Sequence, residues 1–213
     1  MLRSVVPDAD MKQKNPRGFT LVEMLVSVAL FSVVMVVALG ALLSMSVAIR
    51  RAEAINSAVN NLSSALDSMS RSVRTGTTYH CGSGGVQTNA QDCPSPNPDS
   101  YFSYTAYNSS QVTYCLSDPA AASPSCYSGS PNTTCPSGKS CTILRSINGT
   151  AYTTLTAPEV HIKFLGFYVE GSALGDNKQP KATVIISGTV PITSGQTSTF
   201  NIQTAITQRV YDQ

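Results

Sequence analysis

From Met24 to Ile49 the chain runs 26 residues without a charged side chain, and the residue directly before this run is an acid, Glu23. An uncharged apolar stretch of this length is long enough to span a bilayer as one helix. Glycine, serine and proline do not break it into shorter pieces, apart from the single Gly40. A carboxylate at the end of a membrane helix is costly unless it is paired or lies near the interface. An expensive residue in that position points to a function.

Charge is distributed to match. The chain has 14 basic and 12 acidic side chains, and residues 1–18 hold Arg3, Lys12, Lys14 and Arg17 against Asp8 and Asp10. Without residues 1–18 the chain keeps 10 of each sign. The positive excess therefore sits ahead of the apolar run, which predicts a cytoplasmic N-terminus. The neutral remainder removes any argument for nucleic-acid binding from overall basicity.

A basic stretch followed by an apolar run also describes a secretory signal or a plain signal anchor. A secretory signal has a core of about 7–15 apolar residues with the small-residue cleavage site after it. Here the run is longer and the small residue, Gly18, comes first. A plain anchor has no need of Glu23.

The segment Arg17-Gly18-Phe19-Thr20-Leu21-Val22-Glu23, with the apolar run behind it, resembles the processing site of type IV prepilins and type II secretion pseudopilins. The resemblance implies a leader over 1–18, cut between Gly18 and Phe19 by a prepilin peptidase that then methylates the Phe19 amine. It implies residues 19–49 as a transmembrane and filament-core helix. It also implies that Glu23 pairs with the terminal amine of a neighbouring subunit, so that neither charge is buried alone. The implied partners are other pilin or pseudopilin subunits, the peptidase and methylase, and a pilus or secretion assembly platform. The implied location is the inner membrane, crossed once, with the domain periplasmic, or extracellular in a filament. The alternative is a single-pass anchored ectodomain that binds a ligand or surface and never assembles.

Gly40 either permits a bend or allows close packing between membrane helices. After Arg50, Arg51 and Glu53 a second pattern begins at Ala52, Ile55, Val59, Leu62, Leu66, Met69 and Val73, one face of a helix. The spacing predicts an amphipathic extension over 50–75, with Gly76 as its stop and Arg71 and Arg74 in its last turn. One helix of roughly 80 Å would then run from Phe19 to Arg74. Its stripe packs against a sheet; a free coiled coil of three heptads is the rival.

Residues 76–213 form a β-rich domain. Strands are expected near 101–107, 111–116, 141–147, 151–155, 160–169, 182–190 and 199–210, with Phe200, Ile202, Ile206 and Val210 on one face of the last. The expected class is α+β: a long helix laid on an antiparallel sheet, with a disulfide-rich loop region over 81–141. Within the family, Leu62, Leu66, Arg71-Ser72-Val73-Arg74 and the closing Phe200-Asn201-Ile202-Gln203-Thr204 with Arg209 resemble J-type minor pseudopilins and W-type minor pilins.

Six cysteines, Cys81, Cys93, Cys115, Cys126, Cys135 and Cys141, lie in this loop-rich, exported region. An even count there argues for disulfides. Many connectivities are open; short local loops favour Cys81–Cys93, Cys115–Cys126 and Cys135–Cys141. Zinc is the rival, but its cysteines come in pairs about two to four residues apart, and none do here. His80 beside Cys81 and His161 in a strand read as structural. Gly175-Asp176-Asn177 is either a calcium loop or a solvated turn. Tyr101, Tyr104, Tyr107 and Tyr114 are either an adhesive surface or ordinary strand residues. No catalytic motif is present, so neither an enzyme nor a cofactor is expected. The disulfide-rich insert favours an exposed pilus role over a secretion piston.

Overall fold

A computed structural model describes residues 18–117, 126, 133–193 and 196–209. The chain divides into two compact units, Met1–Val47 and Ala48–Gln213. One helix, α1 (Leu21–Arg74), contributes to both. Eight strands follow: β1 Thr77–Cys81, β2 Phe102–Thr105, β3 Gln111–Ser117, β4 Thr142–Ile147, β5 Ala151–Thr154, β6 His161–Glu170, β7 Lys181–Thr193 and β8 Gln196–Thr207.

The strands make two antiparallel sheets where one was expected. β1 to β5 form a meander in sequence order, and β6 to β8 form a second meander. The division falls at the edge of β6. Two loop segments cross there in place of a ladder: Cys93 bridges to Val169, Asp99 to Phe167, Thr134 to Phe164 and Cys141 to Ile162. Single bridges from separate loops satisfy the backbone of this edge without extending the first sheet. β1 was not anticipated, because five residues directly after a helix carry too little periodicity to read.

The C-terminal part of α1 lies on these sheets through Ala58, Leu62, Ala65, Leu66, Met69 and Val73. That corrects the expected stripe. Ala52 and Val59 are exposed, while Ala58 and Ala65 are buried. Once the helix turns at 3.6 residues, Leu62, Met69 and Val73 share a narrow face, Val59 and Ala52 fall to one side of it and Ala58 and Ala65 to the other, and the small alanines allow close approach. Each fully buried large side chain, such as Leu62 or Met69, contributes about 1.5–3 kcal/mol.

Across the interface, Tyr79, Phe102, Tyr104, Tyr114 and Phe167 form the aromatic part of the core. Phe102 lies 5.3 Å from Phe167 and 5.4 Å from Tyr79 between ring centroids, and so joins the two sheets. The end of α1 is closed by the sheet domain. The Tyr79 hydroxyl donates to the Val73 carbonyl at 2.8 Å, and the Arg209 N–H donates to the Arg74 carbonyl at 2.8 Å. Those carbonyls have no partner inside the helix, so the domain supplies it. Asn61, on the expected polar side, accepts the Ala157 N–H at 3.0 Å.

Along β8 the burial alternates through Ser198, Phe200, Ile202, Thr204 and Ile206, as period two requires. Val210 lies outside the described residues. Pro191 falls in β7 beyond the last residue that pairs with β6, Thr189, so its missing N–H costs no bond on that side.

Candidate functional site

The helix begins where Thr20 can cap it. Thr20 Oγ1 accepts the Glu23 N–H at 3.3 Å, and the Thr20 carbonyl accepts the Met24 N–H at 3.2 Å. Thr20 and Glu23 stand in the Ser/Thr-x-x-Glu spacing of a capping box, a signal visible in the sequence but unused above. Gly18 and Phe19 precede the helix, and Phe19 is 78% exposed. A Cβ added at Gly18 meets nothing within 4 Å among the described residues. The Glu23 side chain is exposed in the first turn, near the positive end of the helix dipole. No cation lies within ion-pair distance of it among the described residues.

Beyond Glu23 every residue to Ile49 is exposed. The helix is apolar all round, and its most apolar window has a mean hydropathy of 2.7, enough in length and composition to cross a membrane. Three of its hydroxyls are satisfied internally. Ser27 donates to the Met24 carbonyl at 3.2 Å, Ser32 to that of Ala29 at 2.8 Å and Ser46 to that of Leu42 at 2.9 Å. Hydrocarbon offers no other partner, so such back-bonding lets serine stand in a span. The helix is unbroken at Gly40, where an added Cβ meets nothing within 4 Å. Among the described residues, nothing packs against Gly40.

The six cysteines form Cys81–Cys93, Cys115–Cys126 and Cys135–Cys141. A disulfide sulfur has no thiolate to give to zinc. Two of the three bridges fasten loop segments that dress the edge of β6, since Cys93 and Cys141 each bridge to it. His80 is buried, with its ring nitrogens 2.8 Å from the Asn89 and Gly84 carbonyl oxygens, and ties down the 82–91 loop. Asp92 went unnoticed in the sequence. Its two carboxylate oxygens accept the Gly171 and Ser172 N–H groups at 3.0 and 2.9 Å, holding the turn after β6.

The tyrosines separate by role. Tyr104 and Tyr114 are buried and stacked, Tyr107 is 95% exposed at a turn, and Tyr101 is half-buried. Burial pushes the hydroxyls of Tyr79 and Tyr114 well above the usual phenol range and also raises that of Tyr104. Burial likewise raises the Asp99 carboxyl, opposed by N–H groups of Tyr101 and Ser100. Asp176 accepts the Lys178 N–H at 2.8 Å and closes its own turn. No cluster of three metal-type side chains occurs among the described residues.

No curated protein matches the chain, and no solved structure matches it. Residues 13–39 match the family model of the prokaryotic N-terminal methylation motif. The match covers Gly18, Phe19, the Thr20 cap, Glu23 and the first part of the exposed helix. The match identifies an N-terminal methylation motif, of the kind that type IV pilins and pseudopilins carry.

Proposed function

We propose that this chain is a minor structural subunit of a type IV pilus or a type II secretion pseudopilus. It is held in the inner membrane by the helix over 19–49. Prepilin peptidase cuts it between Gly18 and Phe19 and the new amine is methylated. An assembly platform then lifts it into a filament or its tip. There Glu23 pairs with the Phe19 amine of a neighbouring subunit, and the domain docks to other minor subunits.

The observation that carries this reading is the state of the N-terminal helix. Among the described residues nothing covers its apolar surface, and the carboxylate at its head has no cation within ion-pair distance. Lipid can cover the apolar surface, but the carboxylate is stabilised only at an interface or by a cation. A neighbouring subunit brings both a matching apolar helix and an amine. The cysteine-braced loops support an exposed position, where a domain must hold its shape without a large core.

The test is the N-terminus of the protein extracted from native membranes, read by intact and peptide mass spectrometry. A chain beginning at N-methylated Phe19 is the expected result. A chain retaining residues 1–18 in cells with an active prepilin peptidase would replace this reading with an anchored ectodomain.

A further inference from the structure

β1 is covered on both faces, since Tyr79, His80 and Cys81 are buried in succession. Tyr79 and Cys81 belong to the core, whereas His80 pairs with Ser103 on the opposite face of the sheet. There the loop 82–91 meets it. His80 is 1% exposed, and its ring touches the loop at two points. Nε2 lies 2.8 Å from the Gly84 carbonyl oxygen, and Nδ1 lies 2.8 Å from that of Asn89.

The ends of the loop are held without His80. The Gly82 N–H donates to the Tyr101 carbonyl at 2.9 Å, the Gln91 N–H donates to the Tyr79 carbonyl at 3.0 Å, and Cys93 is bonded to Cys81. Between those ends, among the described residues, the two contacts with His80 are the hydrogen bonds that tie 83–90 to the sheet. Val86 in this stretch is 62% exposed, so little apolar burial helps them.

Both partners of the ring are carbonyl oxygens, which only accept. A neutral imidazole has one N–H and donates to one of them; its other nitrogen then turns a lone pair toward a lone pair. The imidazolium donates to both. A buried imidazolium is costly unless it is compensated. Burial raises the Asp99 carboxyl and the charge of His80 acts against that rise, so the two groups lie within electrostatic reach. The other neighbours add no opposing charge. The loop 82–91 has no ionisable side chain, and Ser103 is neutral. The Tyr79 hydroxyl is bonded to the Val73 carbonyl, and both Asp92 oxygens accept the Gly171 and Ser172 N–H groups. Within Ala48–Gln213 the undescribed residues include no lysine or arginine.

We propose that His80 is a proton-operated latch on the 82–91 loop. Charged, it donates to the Gly84 and Asn89 carbonyls and holds the loop closed on β1. When it gives its proton to solvent it keeps one of the two bonds, and the loop opens at the end it releases. Gly82, Ser83, Gly84 and Gln91 line a cavity of about 700 Å³, so the loop sets one wall of it. Acid closes that wall and alkali loosens it. The latch lies in the sheet domain and does not depend on cleavage at Gly18 or on assembly.

The test is NMR on the full-length, oxidised, isotope-labelled chain in detergent over a series of pH values. The ring nitrogen shifts of His80 report its charge, with His161, the other histidine, as the comparison. Amide protection factors, which remove the intrinsic pH dependence of exchange, are read in the same samples over 83–90 and over 184–186 in β7. The stretch 83–90 should lose protection about tenfold or more as His80 loses its charge, while β7 keeps its own. Asp99→Asn retains an acceptor for the Tyr101 N–H but removes the negative charge, and should move the opening to lower pH. His80→Gln should leave 83–90 weakly protected at every pH. If His80→Gln fails to fold, the unmodified chain and Asp99→Asn still decide. Loop protection that ignores the charge of His80, a neutral His80 under a closed loop, an unmoved opening in Asp99→Asn, or a parallel loss in β7 would overturn the proposal.

Discussion

Thr20 Oγ1 holds the backbone N–H of Glu23, not its carboxylate. The cap of α1 therefore survives any change of the Glu23 side chain, which separates two effects that otherwise coincide. Glu23→Val should leave the helix start intact and the protein processed, yet reduce its incorporation into filaments several-fold. Thr20→Ala should instead fray the first turn, at about 1 kcal/mol. The readouts are the ratio of sheared-filament to membrane-retained protein, and hydrogen exchange over residues 21–24. Normal incorporation of Glu23→Val would count against the proposed pairing with the Phe19 amine.

The two readings of the amphipathic stripe differ at defined positions. Met69 is fully buried and Val59 is 38% exposed. Met69→Ala should destabilise the domain by about 2–5 kcal/mol, through lost transfer energy and a residual cavity. Val59→Ala should stay within about 0.5 kcal/mol. Denaturant unfolding of the full chain in detergent compares them, and equal losses would return Val59 to the core face.

Gly76 ends the helix for a reason other than a left-handed turn, since its φ is not positive. An added Cβ would run into the Tyr104 ring, with the Thr105 carbonyl 3.2 Å away. Gly76→Ala should therefore cost about 1–3 kcal/mol by overpacking. Gly40→Ala has open space and should leave the stability of the isolated chain unchanged or slightly higher. A fall in filament incorporation for Gly40→Ala alone would identify Gly40 as a packing residue between subunits.

Alkaline pH should unfold the domain through its buried phenols. The native values of Tyr79, Tyr104 and Tyr114 are raised above the ordinary 10.0, chiefly by burial. A raised native value means that their contribution to stability is complete below pH 10 and is lost as pH climbs from there. Phenolate absorbance should then show part of the nine tyrosines ionising only together with the loss of circular dichroism. Smooth ionisation of all nine in a folded domain would contradict the buried cluster.

The amino-acid order by itself determined the N-terminal third of this molecule. A long uncharged run, an acid at its head and a glycine before it are local properties, and a helix needs nothing beyond its own residues to satisfy its backbone. The class of the domain was legible too, because alternation along a strand such as β8 is written into consecutive residues. The tertiary structure alone decided the rest. The separation into two sheets depends on which loop reaches the edge of β6, a contact between residues as distant as Cys93 and Val169. The buried face of α1 depends on the surface that receives it, so Ala58 and Ala65 displaced Ala52 and Val59.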